Sequence, residues 1–149
     1  MANTTYLKGE VEAYVRQQLA AEYGIAFSAE LLALPMGGHH EFDAVSADLS
    51  IVASIKSASG KTAGGRIPNG KIKDSIAELY FLSQVPARQR LLVLTNPEFF
   101  RIFQATMKGK LTHGIIVKHV ELSPGLAEKV RLVQERASKE ISVNRLLAP

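Results

Sequence analysis

Apolar residues near the start of the chain, Leu7, Val11, Tyr14, Val15 and Leu19, recur at helical spacing and predict a helix capped by Thr4 or Thr5 and stopped by Gly24. Ile25 to Leu34 mixes apolar and small residues without helical caps, so it reads as a strand, and Pro35-Met36-Gly37-Gly38 supplies the turn that ends it. Residues 39–56 alternate as two antiparallel strands joined by a short polar turn about Ser46 to Ser50. Ser57 to Gly70, rich in Ser, Gly and Ala, is a long loop, and loops of that length are more often functional than decorative. A second helix over about Lys71 to Gln84 carries Ile72, Ile76, Leu79, Tyr80 and Ser83 on one face. The continuous apolar run from Arg90 to Thr95 has the length of a central strand covered on both faces. Asn96-Pro97-Glu98 is a helix start with cap, first-position proline and first-turn acid; Phe99, Ile102 and Phe103 anchor that helix and Gly109 closes it. A strand over about Gly114 to Leu122 and a last helix opened by Ser123-Pro124, with the stripe Leu126, Val130, Val133, Ala137 and Ile141, complete the order α-β-β-β-α-β-α-β-α. That order predicts an α/β fold in which a mixed central sheet is flanked by helices.

Length and composition narrow the class without naming a function. A chain of 149 residues is one domain by default, and 46% hydrophobic with 21% charged residues is the make-up of a soluble globular protein. Cysteine is absent, which excludes disulfides and thiolate metal sites and fits a reducing compartment. The start lacks a signal-peptide core and no stretch approaches the roughly 20 apolar residues of a membrane span, so the expectation is a cytoplasmic protein without membrane contact. The formal charge of +4 favours acidic partners such as nucleic acid.

The chemistry concentrates in the predicted hairpin. Alternation puts Glu41, Asp43 and Val45 on one face of its first strand and Ser54 and Lys56 on one face of its second, so pairing about Ser46 to Ser50 brings Asp43 and Lys56 to the same side. A carboxylate and an ammonium at a sheet's end suit phosphodiester hydrolysis, the acid holding a divalent metal and the lysine serving a water. The plainer alternative is a solvated cross-strand pair worth under about 1 kcal/mol. Against it, Lys56 closes an almost uncharged strand and is expected to be half-buried, a position lysine rarely takes without a partner or a task. Glu10, at the edge of the first apolar stripe, can lie over the sheet, although such a residue is usually a surface carboxylate. His39 and His40 precede the hairpin and point to opposite faces; either could add a metal ligand or a base, with ordinary strand-entry residues the simpler reading. His113 and His119 have no spacing that implies a shared metal. Ser59-Gly60-Lys61-Thr62 resembles the end of a phosphate-binding P-loop, but Ile55 stands at the required first glycine and Gly64, Gly65, Pro68 and Gly70 forbid an immediate helix. Lys61, Arg66, Lys71 and Lys73 follow the hairpin, and Ser57 to Lys73 contains no acidic residue, so this segment is the expected nucleic-acid-facing loop.

A helix carrying Glu10, a strand, a hairpin with Asp43 and a Ser54-Ile55-Lys56 ending, then a helix and a central strand resembles the restriction-endonuclease-like fold of the PD-(D/E)xK nuclease superfamily over roughly residues 6–95. The remainder would be C-terminal additions. The resemblance implies a metal-dependent nuclease or DNA-processing protein using Mg²⁺ or Mn²⁺, with nucleic acid, DNA first, as partner and a homodimer as an allowed assembly. It also implies roles: Asp43 as metal ligand, the backbone carbonyl of Ile55 as a second, Lys56 as the water-positioning group, and Glu10 as a ligand through water. Phe42 stands in place of the family's proline, which many members lack. Ser54 stands where the second acid belongs, and a hydroxyl is a weaker ligand for a hard cation. Glu78 and Asp74 of the following helix are candidates to replace it, although both lie opposite the stripe assigned to that helix; Glu41 is the other substitute. The alternative is a catalytically inactive nuclease-fold module that binds nucleic acid or a protein partner.

Overall fold

The chain lays helices on both faces of one five-stranded sheet whose strand order is the order of the sequence. The structure is a computed structural model that describes residues 2–60 and 65–147, with side chains described except at residues 2–6, 138 and 141–147. Its elements are α1 (Ala2–Tyr23), β1 (Phe27–Ala33), β2 (His39–Ser46), β3 (Ile51–Lys56), α2 (Asn69–Gln84), β4 (Gln89–Leu94), α3 (Pro97–Met107), β5 (Ile115–His119) and α4 (Pro124–Leu147). β1, β2 and β3 form an antiparallel meander, and β3, β4 and β5 run parallel. This is the expected α/β mixed sheet. The boundaries move by a few residues: α1 already includes Thr4 and Thr5, and α2 begins at Asn69. No helix among the described residues is long and apolar enough to cross a membrane.

Alternation along β3 and β4 explains the layers. Ile51, Ala53, Ile55, Leu91 and Val93 turn to one face, where Val11, Val15 and Leu19 of α1 cover them and Leu126 and Val130 of α4 pack alongside. Val52, Leu92 and Leu94 turn to the other, against Ile72, Leu79 and Leu82 of α2 and Phe99, Phe103 and Met107 of α3. Buried on both sides, the parallel strands have no polar alternation to show, which is why Arg90 to Thr95 reads as an unbroken apolar run.

The helix α2 corrects the expected stripe. Its buried residues are Ile72, Ser75, Leu79 and Leu82, whereas Ile76 is 40% and Tyr80 63% exposed. Small Ser75 lets the helix approach the sheet, and the helix is thereby rotated so that Glu78, one turn from Ser75 and Leu82, borders the buried face instead of opposing it. Asp74 stays exposed.

The β2–β3 turn is held by side chains: Oδ1 of Asp48 accepts from the Ser46 hydroxyl at 2.8 Å, the Ser50 hydroxyl at 2.6 Å and the Ser50 amide at 3.0 Å. These bonds pull the Asp48 carboxyl down to about 2. Leu49 within this turn has φ of 64°, a left-handed conformation that crowds its Cβ. Its side chain is 59% exposed and has little packing to lose, so Leu49→Asn should raise stability by about 1 kcal/mol, read as a higher melting temperature.

Candidate functional site

Asp43 sits where β2 parts from β3. Ser28 of β1 pairs with Val45 and Glu30 with Phe42, so Ala29 faces two residues of β2, Asp43 and Ala44: a β-bulge. On its other side β2 pairs with β3 only at Ala44–Ala53 and Val45–Val52. Beyond that the strands fork, and the Asp43 side chain fills the fork: its Oδ2 accepts from the Ile55 amide at 2.7 Å. The bulge also breaks the expected alternation, since Phe42 and Val45 both join the core under α2 and α3 while Ala44 joins the opposite one.

The structure brings a carboxylate to Asp43 from α1, and it is Glu12. Glu12 lies close enough to hydrogen bond with Asp43 if one of the two is protonated. Its Oε1 is buried and has no hydrogen-bond partner among the described residues; Nζ of Lys8 stands 3.9 Å away, too far for a hydrogen bond. Burial first, then the charge of Asp43, holds the Glu12 carboxyl above its usual range, against the opposing pull of Lys8 and Arg16. Asp43 is likewise raised, by burial first and by the charge of Glu78, while the Ile55 amide, Lys8 and Lys56 act the other way. Lys56 thus lies at the end of β3 within electrostatic reach of Asp43, half-buried as expected.

Glu78 reaches the same region from α2. Its Oε2 accepts from the buried Ser54 hydroxyl at 2.8 Å and lies 3.2 Å from Nε2 of His40. His40 is itself fixed, its ring stacked on Phe81 at 4.0 Å and edge-on to Phe42 at 4.8 Å. The hydroxyl at position 54 is therefore tied to a carboxylate supplied by the neighbouring helix.

Other candidates lie apart. Glu10 turns to α4, where Nζ of Lys129 is 3.6 Å from its Oε2, because it stands on a different side of α1 from Glu12. Glu41 is exposed. Ile55 meets Asp43 through its amide. Asp74 and His39 are exposed; so is His113, whose carbonyl accepts from Arg90. His119 packs against Phe100 at the end of β5. Of the basic segment, Arg66, Lys71 and Lys73 are exposed, and Lys61 lies outside the described residues.

Glu12 was missed because Glu10 also borders the apolar stripe. The available signal was the charged row Lys8, Glu12 and Arg16, spaced one helical turn apart beside Val11 and Val15.

The raised carboxyls have a pH signature. The folded protein keeps their protons at a pH where the unfolded chain has lost them, so their contribution is fully present below the unfolded values and is lost as pH rises through the raised folded values. Metal-free wild type should therefore lose thermal stability relative to the Glu12→Gln/Asp43→Asn double variant as pH rises above the ordinary carboxylate range of about 4. Parallel curves for the two proteins would contradict the coupling.

No protein-family model, curated protein or solved structure matches the chain.

Proposed function

We propose that the protein is a metal-dependent phosphodiesterase acting on nucleic acid, DNA in the first instance, on a scaffold of the PD-(D/E)xK type. The observation that carries this reading is the pairing of Glu12 and Asp43 in the fork between β2 and β3, with Lys56 and Glu78 in electrostatic reach of Asp43. Two carboxylates with raised proton affinity, one with a buried oxygen that lacks a hydrogen-bond partner among the described residues, favour a cation between them. Among the described residues no three His, Asp or Glu side chains form a compact ligand group. Mg²⁺ suits a set of two, since it commonly binds through one or two carboxylates and keeps several waters. When bound, such an ion would polarise the phosphodiester and lower the pKa of a coordinated water.

In this reading Glu12 and Asp43 hold the cation. Lys56 orients the attacking water and offsets charge that develops on the phosphate. Glu78, kept in place by Ser54 and His40, supplies the negative charge that Ser54 itself lacks. The test is cleavage of single- and double-stranded DNA and RNA with Mg²⁺ or Mn²⁺. Metal-dependent cleavage that disappears in Lys56→Met supports the proposal, and equal cleavage by the two proteins removes Lys56 from the chemistry.

One observation favours the second reading, a silent module that binds nucleic acid. Oε2 of Glu78 is taken up by Ser54 and His40, so it adds no third ligand to Glu12 and Asp43 in this arrangement. Binding without cleavage, with either metal, would select it. Both readings give the exposed Lys71 and Lys73 at the start of α2 phosphate contacts. Replacing both by alanine should lower the slope of log affinity against log salt by roughly 2 for duplex DNA, measured without metal.

A further inference from the structure

We infer that Arg16 is a positioning residue for the carboxyl pair, its guanidinium holding the bulge that aims Asp43 at Glu12; this rests on the metal site proposed above. A bulge leaves backbone groups without ladder partners, and the Asp43 carbonyl stands where β2 no longer pairs with β3. Nη1 of Arg16 donates to that carbonyl at 2.8 Å across a half-buried contact. Asp43 is thereby gripped at both ends, its carbonyl by α1 and its carboxylate by the Ile55 amide of β3. Glu12 lies one turn before Arg16 on the same side of α1, so the helix that fixes the bulge also delivers the second carboxylate. Phe42 and Ala44, on either side of Asp43, are buried in the two opposite cores, so the bond from Arg16 fixes the peptide that lies between them.

Electrostatics alone gives the opposite expectation, which makes the inference testable. Arg16 is a cation beside a cation site, and removing a positive charge by itself strengthens the attraction for a metal. Removing a residue that orients a ligand weakens binding, typically by 10- to 100-fold. The experiment is calorimetric titration of Mn²⁺ into the metal-free full chain: wild type, Arg16→Met, Arg16→Lys and Asp43→Asn, each checked for folding by circular dichroism. Positioning gives about 10- to 100-fold weaker binding in Arg16→Met and partial recovery in Arg16→Lys, which keeps one donor. Should Arg16→Met not fold, Arg16→Gln, with a neutral donor on a shorter chain, is expected to show the same loss. Arg16→Met binding Mn²⁺ as tightly as wild type, or more tightly, while Asp43→Asn loses it, overturns the role of Arg16 and leaves the site standing. Wild type that binds no more Mn²⁺ than Asp43→Asn overturns the site and the role together.

Discussion

Lys56→Met and Asp43→Asn should each lower metal-dependent cleavage by about three orders of magnitude while leaving the fold intact. Metal coordination and orientation of the attacking water each supply several kcal/mol to such hydrolyses, and about 4 kcal/mol is a factor of 10³. Met keeps most of the apolar stem of Lys56 and removes the ammonium with its charge and its donors. Asn at position 43 keeps an oxygen able to accept from the Ile55 amide, so the fork of the sheet stays closed. Single-turnover rates at saturating Mg²⁺ separate the two. Asp43→Asn should recover in part at high metal concentration, whereas Lys56→Met should not. Rates within threefold of wild type in both variants would leave the pair without a chemical role.

The second large effect falls on Glu12. Glu12→Gln should weaken Mn²⁺ binding by about two orders of magnitude, because it removes one of the two proposed charged ligands. The same substitution should stabilise the metal-free protein at neutral pH by about 1 kcal/mol. A glutamine amide can donate to Asp43, and so replaces two like charges and a buried oxygen without a hydrogen-bond partner by a hydrogen bond. A variant that is more stable and binds less metal is the mark of a site held against the interests of the fold. Glu10→Gln is the control: its carboxylate faces Lys129, so metal affinity should not change. Loss of Mn²⁺ in Glu10→Gln with retention in Glu12→Gln would invert the assignment.

The layers of this fold were legible because each rests on a local rule. Asn96 shows it most directly: the cap expected from Asn-Pro-Glu is formed, with Oδ1 of Asn96 accepting from the Phe99 amide at 2.9 Å. The stripe Leu7, Val11, Val15 and Leu19 is buried for the same kind of reason, and Gly24, with φ of 69°, stops its helix. The site was harder to read because it depends on departures from periodicity. A single extra residue at Asp43 and Ala44 re-aims β2, and nothing in the letters His-Glu-Phe-Asp-Ala-Val marks where such a bulge falls. The face of α2 differs from the expected stripe because that stripe takes in Ile76 and Tyr80, which are exposed, and passes over Ser75, whereas packing on the sheet selects the small residue; that rotation is what brings Glu78 to Ser54. Lys56, by contrast, closes an apolar strand, and its half-buried place at the strand's end follows from that pattern alone.

The most direct test of the account is the anomalous-scattering map of a crystal soaked in Mn²⁺ near neutral pH. The expected result is a peak in the fork of the sheet, within coordination distance of a carboxylate oxygen of Asp43 and Oε1 of Glu12. A peak held by other residues, or none at Asp43 with the metal at saturating concentration, would contradict it.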